Sequence, residues 1–472
     1  MHARQWPSPW LLPCLIFTLL SPACDDDDSA GEAGGSGGAA GMGGFTDPAG
    51  GAGGTGSEVG PGGEGGAAGE VGSTDVWQGM DLAAVEDPTT LGFDAEALRA
   101  GPDALADDIE DGGIPGAILL IARKGQIALY EELGVHSTDN PTSLTGDSLF
   151  RIFSMTKPIV SVATMSMVED GLLDLDDPVS DYLPEFAEMT VLQEDGSTIP
   201  AMDTMTVRQL MSHTSGIIYG GLIRGDNFPL SQLYIEAGAL PLRLDITLRE
   251  LAGIVGELPL LSEPGGSWNY GLSTDILGAV IEVAAEQTLD EILRARVLDP
   301  LGMHDTSFYP PVSEGHRLAR TSAPYPESSP ELRAPQPMLS AGGGLTSTTR
   351  DYLRFCMMLA NEGQLDGVRV VEAASIAEMR VNHVTEEMRE DQFTSVLVSN
   401  GTGFGLGVQV VLEDRGRRRE GSGTVSWGGF LSTQFWVDPT NDVITILMLQ
   451  REAPNRYSIP IRRWVYDALV DQ

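Results

Sequence analysis

The chain is poor in lysine, cysteine and histidine, and each shortage narrows what it can do. Of its 28 basic residues only Lys124 and Lys157 are lysine, and the other 26 are arginine. Cys14 and Cys24 lie in an N-terminal segment with the features of an export signal, so Cys356 has no partner for an intrachain disulfide after processing. The six histidines are scattered, and no histidine–cysteine cluster has the spacing of metal ligands. We therefore expect no metal site and no cofactor.

Positive charge is scarce along the whole chain. The net charge is −40, and residues 76–472 alone carry 58 acidic and 27 basic side chains, a net charge of −31. Such a surface repels nucleic acid and anionic lipid headgroups, so we expect neither as a partner. The charge favours solubility but does not identify a reaction.

Residues 1–24 have the features of an export signal. Arg4 is their only charged residue, and the apolar stretch at 10–20 is too short to span a bilayer. The small residue before Cys24 resembles a bacterial lipoprotein cleavage site, although Ser21 stands where an aliphatic residue is usual. We expect a protein exported to the bacterial cell envelope, at the periplasmic or outer surface, and attached to the membrane only through a lipid on Cys24. The alternative is an ordinary secretory signal cleaved nearby.

A glycine-rich acidic segment follows at 25–75. It begins with four aspartates, and residues 31–75 contain 20 glycines in 45 positions. This composition predicts a disordered, flexible tether. Residues 76–472 are then long enough for one catalytic unit with a large core, in which we place a helical subdomain at approximately 176–330.

One of the two lysines follows a serine at a distance of three residues. Ser154 and Lys157 precede the apolar stretch 158–168, which predicts a buried helix that starts near Ser154 and stops at Gly171. The two side chains would then lie one turn apart on the same face. Arginine stays protonated, whereas a desolvated lysine can become a neutral amine and accept the proton of a serine nucleophile. A chance Ser-x-x-Lys is common, so the pattern needs support from other residues.

Apolar periodicity and turn residues predict an antiparallel sheet contributed by both ends of the chain, with a helical region between. Lys124 is expected on a turn of the first hairpin. The strands are predicted at 115–122, 126–131, 404–412, 434–437 and 443–449, and the main helices at 206–212, 273–286, 351–361 and 459–470.

Three further segments matter for the interpretation, and two of them carry groups that suit acyl transfer. Tyr270 opens a loop before a helix, where a phenol beside a lysine can shuttle a proton, although a core tyrosine is the commoner case. Gly428 and Gly429 follow Trp427 on a strand, where an N–H could join that of Ser154 in an oxyanion hole; the alternative is a β-bulge. We expect His213, at a helix end, to be a structural hydrogen-bonding residue.

Together these segments resemble the serine β-lactamase-related family, which includes class C β-lactamases, D,D-peptidases and family VIII carboxylesterases. The resemblance runs over nearly all of 80–472. It implies an α+β fold of the β-lactamase/transpeptidase type, with an antiparallel sheet flanked by helices plus a helical subdomain. It rests on the order and spacing of Ser154 to Lys157, His213 to Gly216, the segment from Tyr270, Gly342 to Ser347 with Asp351, and Trp427 to Gly429.

The resemblance also implies roles for individual residues. Ser154 would be the nucleophile that forms an acyl-enzyme, Lys157 its partner base, and Tyr270 the general base and acid of acylation and deacylation. The backbone N–H groups of Ser154 and Phe430 would form the oxyanion hole.

Two departures from the family pattern indicate the subtype. Trp427 stands where β-lactamases and peptidases have the lysine or histidine that meets a substrate carboxylate, and Leu272 replaces the asparagine that holds an acylamide side chain. An anionic substrate would lose a charge-assisted contact worth roughly 1.5–3 kcal/mol. The Trp427-Gly428-Gly429 motif resembles that of the esterase-like members, and the resemblance implies that these three residues and Leu272 contact the substrate. We therefore expect the substrate to be a small molecule, a neutral ester or an amide, with an apolar acyl or alcohol part.

Two other interpretations stay open beside the esterase. A D,D-peptidase or weak β-lactamase would need a cation near Trp427, and the sequence offers only the more distant Arg415 to Arg419 cluster. A binding module without catalysis is disfavoured, because Ser154, Lys157 and Tyr270 are all present. Sequence alone does not separate hydrolysis from acyl transfer to another acceptor.

Overall fold

A computed structural model describes most of the chain after residue 80. The described residues are 81–221, 225–241, 243, 245–321, 335–389, 398, 401–413, 419–452 and 454–470. They belong to one compact unit, Asp75–Gln472. The predicted export signal, the lipidation site Cys24 and the glycine-rich tether lie outside the described residues, as do positions 415–418 of the arginine cluster.

The central element is a seven-stranded antiparallel sheet with the order β2-β1-β13-β12-β11-β10-β9. Three two-stranded sheets, β3-β6, β4-β5 and β7-β8, lie outside it. The strands are β1 Gly116–Arg123, β2 Gln126–Gly134, β3 Phe150–Arg151, β4 Thr190–Leu192, β5 Thr198–Pro200, β6 Thr346–Ser347, β7 Gln364–Leu365, β8 Val368–Arg369, β9 Thr402–Phe404, β10 Gln409–Val411, β11 Val425–Gly428, β12 Gln434–Asp438 and β13 Val443–Leu449.

Ten α-helices accompany the strands within the described residues. Short 3₁₀ turns connect several of them, including one at Phe153–Met155. The helices are α1 Ala95–Glu110, α2 Thr156–Glu169, α3 Val207–Met211, α4 Pro229–Ala237, α5 Leu248–Gly256, α6 Ser273–Ala285, α7 Leu289–Leu293, α8 Thr349–Ala360, α9 Ala373–Met379 and α10 Pro454–Asp467.

Both faces of the sheet are covered, as the all-buried strand β1 requires. Leu119 and Trp436 belong to a core shared with α1 and α10. The neighbouring Ile118 points to the other face and, with Ile446, joins a larger core that includes α2 and α8. This larger core continues into helices α3 to α7, so the sheet and the helical region share one apolar interior. The predicted α+β architecture, with strands from both chain ends around a helical insert, is confirmed.

Local sequence signals explain where several helices begin. Helices α3, α5 and α7 each start with a capping box, in which a threonine and a Gln or Glu three residues later bond each other's backbone N–H groups. In the first hairpin, Lys124 and Gly125 both have positive φ, 51° and 74°, which suits the right-handed twist of β1 and β2. The predicted turn at Lys124 is confirmed.

Two predicted elements are wrong in their extent. The predicted single strand 404–412 is interrupted, since β9 ends at Phe404 and β10 covers only Gln409–Val411. The chain turns back between them at Gly405 and Gly407, and a Cβ on Gly405 would lie 1.9 Å from the Met379 carbonyl oxygen. Helix α10 begins five residues earlier than the predicted 459 and carries Pro460 inside it.

Among the helices of the described part, none is both long enough and apolar enough to cross a membrane.

Asp351, in the first turn of α8, links this helix to Asp305 and Thr306. Its Oδ2 accepts hydrogen bonds from the Asp305 backbone N–H, at 2.9 Å, and from the Thr306 hydroxyl, at 2.9 Å. Burial raises the pKa of this carboxyl from 3.8 to about 6. The folded state therefore binds a proton before the unfolded state does. The resulting stabilisation is complete below about pH 4 and is lost as the pH rises through about 6.

We expect Asp351→Asn to remove this pH dependence. From pH 7.5 to pH 4.5, the difference in unfolding free energy between wild type and variant should shift in favour of the wild type by about 2 kcal/mol, at about 1.4 kcal/mol per pKa unit. Urea titrations of both proteins at the two pH values measure this shift. A difference that is the same at both values would contradict it.

Candidate active site

Ser154 lies on a sharp bend between strand β3 and helix α2. The preceding residue, Phe153, has a φ of 44°, in the left-handed region that non-glycine residues rarely adopt. Such a conformation costs about 1–3 kcal/mol and persists only where the surrounding structure holds it in place. A 3₁₀ turn then leads directly into α2, which places Ser154 at its N-terminal end, half-buried at the surface of the core. The predicted helix start near Ser154 and stop at Gly171 are both confirmed.

Lys157 is fully buried, and its Nζ contacts three oxygen atoms. It donates to Ser154 Oγ at 3.2 Å, to Tyr219 Oη at 3.1 Å and to the Gly342 carbonyl at 2.6 Å. A charged amine has three N–H donors, and these partners match all of them. The first contact is the predicted one-turn pairing of serine and lysine. If the amine is neutral, the Ser154 hydroxyl can donate along the same line, which is the geometry of proton removal from a nucleophile.

A buried carboxyl holds the Gly342 carbonyl in place. Asp275, in the first turn of α6, accepts hydrogen bonds from the Gly342 backbone N–H at 3.0 Å and from the Ser340 hydroxyl at 2.7 Å. A Cβ at position 342 would lie 2.5 Å from Asp275 Oδ2, so only glycine fits. Burial raises the pKa of Asp275, while the nearby Lys157 charge opposes that rise. The glycine segment 342–347 therefore serves the site through its backbone.

Tyr219 is a site residue that the sequence reasoning missed. Its hydroxyl bonds Lys157, its side chain is 5% exposed, and burial raises its pKa well above the ordinary value. The phenol is therefore neutral and supports the amine as a hydrogen-bonding partner. The only sequence signal was its position shortly after the His213 to Gly216 segment, and its apolar neighbours gave it the pattern of a core residue.

Tyr270 lies beside the lysine, but in an unexpected orientation. The Lys157 Nζ sits over its ring, 4.7 Å from the centroid. The Tyr270 hydroxyl instead accepts a hydrogen bond from Trp427 Nε1 at 3.2 Å. The structure thus brings Ser154, Lys157 and Tyr270 together, as predicted, with Tyr219 rather than Tyr270 bonded to the amine.

The His213 ring packs against the Tyr270 ring. It is fully buried, its ring centroid is 4.7 Å from that of Tyr270, and its Nδ1 accepts the Gly271 N–H at 3.4 Å. Burial, assisted by the Lys157 charge, holds its pKa well below 6.5. The imidazole is therefore neutral, and its contacts agree with the expected structural role.

The end of β11 packs against the Ser154 bend. A Cβ on Gly429 would lie 2.5 Å from the Ile152 carbonyl oxygen and 2.2 Å from Thr433 Oγ1, so glycine is required for this approach. The Phe430 ring meets that of Phe153 edge-on, with centroids 5.9 Å apart. The backbone after Gly428 thus runs beside Ser154, where the predicted oxyanion hole would lie.

The predicted substrate contacts divide into two groups. Trp427 and Gly428 are half-buried, and Trp427 contacts Tyr270, whereas Gly429 is buried against the Ser154 bend. Leu272 has no exposed surface and belongs to the hydrophobic core. Its side chain therefore does not face an open pocket, because the turn before α6 directs it inward. Of the arginine cluster only Arg419 is described, and it is exposed. Within the described residues, no group of three or more His, Cys, Asp or Glu side chains could hold a metal ion.

Comparisons with known proteins find similar sequences over most of the domain. The family model described as Beta-lactamase matches residues 99–469. Protein Rv1367c of Mycobacterium tuberculosis is 34% identical over 369 residues, which cover 74% of this chain and 89% of that protein. Esterase EstB of Burkholderia gladioli is 31% identical over 421 residues, 82% of this chain and 99% of the esterase.

A solved structure also resembles this chain over most of its length. EstCE1, described as a hydrolase with promiscuous acyltransferase activity, superimposes with a TM-score of 0.65 at 26% identity. The match covers 79% of this chain and 99% of that one. The fold is thus the β-lactamase/transpeptidase-like fold expected from the sequence.

We expect Tyr219→Phe to slow the reaction of Ser154 with a fluorophosphonate probe about tenfold or more, because the buried amine loses a hydrogen bond worth about 1.5–3 kcal/mol. The measurement is the second-order rate constant of labelling. Tyr182→Phe is the matched control, since it removes a 2.6 Å phenol bond to Asp177 away from the site. The control should react at the wild-type rate, and equal rates for both variants would contradict the assignment.

Proposed function

We propose that this chain, which belongs to the β-lactamase family and is a serine hydrolase, acts as a carboxylesterase through an acyl-enzyme on Ser154. The observation that carries the proposal is the 3.2 Å contact between the Ser154 hydroxyl and the fully buried Lys157 amine. A serine gains nucleophilicity when an adjacent base can take its proton. The esterase EstB and the hydrolase EstCE1, both similar over most of their length, support ester hydrolysis.

Acylation begins from the enzyme form in which the Lys157 amine has lost its third proton: Ser154 Oγ attacks the ester carbonyl carbon, and the serine proton passes to that amine. The negative charge on the carbonyl oxygen is stabilised by the backbone N–H groups of Ser154 and Phe430, at the N-terminal end of α2. The C–O bond to the alcohol then breaks, and Tyr270 supplies the proton with which the alcohol leaves. The products of this half-reaction are the free alcohol and an ester of Ser154.

Deacylation follows the same steps with water as the nucleophile. Tyr270, having given up its proton, takes one from the water molecule as the water oxygen attacks the acyl carbon. The bond to Ser154 Oγ breaks, the serine recovers its proton from Lys157, and the carboxylic acid leaves. Each turnover thus consumes one ester and one water and restores all three side chains.

The substrate we propose is a neutral ester with an apolar acyl or alcohol part. The side chain at position 427 is an uncharged indole, half-buried beside Tyr270, so no cation is supplied there for a substrate carboxylate. The strongly negative chain adds long-range repulsion of anions. Aromatic rings around this position offer apolar contact in its place. A D,D-peptidase or weak β-lactamase activity is the alternative that a substrate comparison separates.

We expect Ser154→Ala to abolish hydrolysis of p-nitrophenyl butyrate and Lys157→Arg to reduce kcat about a hundredfold or more, because arginine does not become a neutral base. Lys124→Arg is the matched control, since it makes the same change on the hairpin turn of β1 and β2. It should retain wild-type activity. Steady-state rates, with circular dichroism to verify folding, measure these effects.

The same proteins assayed with a chromogenic cephalosporin distinguish the two activities. Ser154-dependent turnover of the ester with little cleavage of the cephalosporin is the expected result. Cephalosporin cleavage without ester turnover would replace the esterase by the β-lactamase or peptidase interpretation. Ester turnover that persists in Ser154→Ala would overturn the nucleophile assignment.

We also propose that the protein is exported and held at the cell envelope by a lipid on Cys24, which rests on the sequence of residues 1–24. In a bacterial host, wild-type protein should fractionate with membranes and Cys24→Ser protein should be released. Immunoblots of the two fractions measure this. A wild-type protein found wholly in the soluble fraction would contradict the anchor.

A further inference from the structure

We propose that the indole N–H of Trp427 positions Tyr270 for proton transfer and stabilises its ionised form. The inference rests on the proposed function and adds a part to its mechanism. Its central observation is the hydrogen bond from Trp427 Nε1 to Tyr270 Oη, at 3.2 Å.

The indole is held firmly enough to direct a hydrogen bond. Trp427 lies on β11 and is paired across the strands with Phe435 of β12. Its ring meets that of Phe404 edge-on, with centroids 5.1 Å apart, and that of Tyr270 at 5.3 Å and 61°. A side chain packed on two sides by aromatic rings presents its N–H in one direction.

The Tyr270 ring is equally constrained. It stacks on Trp268, with centroids 6.1 Å apart and an interplanar angle of 17°, and it packs against His213 and Tyr219. The Lys157 amine approaches the ring face and donates its protons to other oxygens. The lysine therefore does not orient the Tyr270 hydroxyl, and the hydrogen bond from Trp427 does.

This arrangement determines where the proton of the Tyr270 hydroxyl points. Indole nitrogen is only a donor, so the Tyr270 oxygen must be the acceptor and its own proton must point elsewhere. The hydroxyl thus remains free to give that proton to a leaving alcohol. A donor also stabilises a phenolate more than a phenol, which favours Tyr270 as a base toward water in the second half-reaction.

The uncharged indole of Trp427 supports proton transfer by Tyr270 and also leaves anionic substrates without a cation at this position. A lysine or histidine at position 427 would present a cation to the substrate as well as to Tyr270. The indole supplies a hydrogen bond to Tyr270 without that charge, so proton transfer is supported while anionic substrates gain nothing. Trp427 is in this sense a positioning residue, because it acts on the reaction through Tyr270.

The test begins with Trp427→Phe, which keeps an aromatic ring and removes the N–H. On p-nitrophenyl butyrate we expect kcat to fall about 10- to 100-fold with KM changed less than about threefold, and the rise of kcat with pH to move to higher pH. Trp464→Phe, on the distant helix α10, is the matched control and should behave as wild type. A raised KM with an unchanged kcat and pH profile would overturn the proposal and make Trp427 a substrate contact.

A double-mutant cycle identifies the group through which Trp427 acts. If it acts through Tyr270, adding Trp427→Phe to Tyr270→Phe should lower kcat less than about twofold further. Full additivity of the two changes would overturn the proposal. Activity that needs Ser154 in every variant keeps the esterase function intact whichever result is obtained, so the two proposals fail separately.

A second variant guards against loss of packing. Replacing Trp427 with β-(3-benzothienyl)alanine, by suppression of a stop codon, exchanges the N–H for sulfur and keeps the two-ring shape. We expect the same loss of kcat and the same pH shift as in Trp427→Phe. Wild-type kcat in this isosteric variant would refute a role for the N–H.

Discussion

The buried amine of Lys157 is the constraint on which the rest of the site depends. Removing a charged or strongly polar group from water is costly unless every donor finds a partner. Here the partners come from three separate parts of the chain: the Ser154 bend, the loop with Tyr219, and the Gly342 segment. Satisfying one side chain therefore fixes the helical region, helix α2 and the strand β6 region relative to one another.

Two close backbone approaches complete this arrangement. Gly342 allows Asp275 to hold the carbonyl that accepts from the lysine, and Gly429 lets the end of β11 reach the chain just before Ser154. At both positions a Cβ would collide with its neighbours. The polar part of the site is thus built largely from main-chain groups, whose positions follow from the sheet and from α6, while the aromatic rings around Tyr270 supply its walls.

The features predictable from sequence were those carried by spacing and composition. The Ser154 and Lys157 pair, the hairpin of β1 and β2, the long helices and the antiparallel sheet all followed from local patterns. Tyr219 was missed because nothing in an apolar stretch distinguishes a phenol that meets a lysine from one that fills the core. The positive φ of Phe153 and the bond from Trp427 to Tyr270 depend on tertiary packing. Leu272 was misjudged for the same reason, since a family position says little about which way a different side chain turns.

The pairing of β1 with β13 limits the order in which the central sheet can form. Ala117 pairs with Leu449, and Phe93 bridges Leu469, so the two ends of the domain meet in the finished fold. A chain synthesised from its N-terminus makes the first hairpin early and then leaves one of its edges unpaired until the last strands emerge. Strand β11, which borders Ser154, also comes late. The surroundings of Ser154 are therefore assembled only when nearly the whole chain has been made.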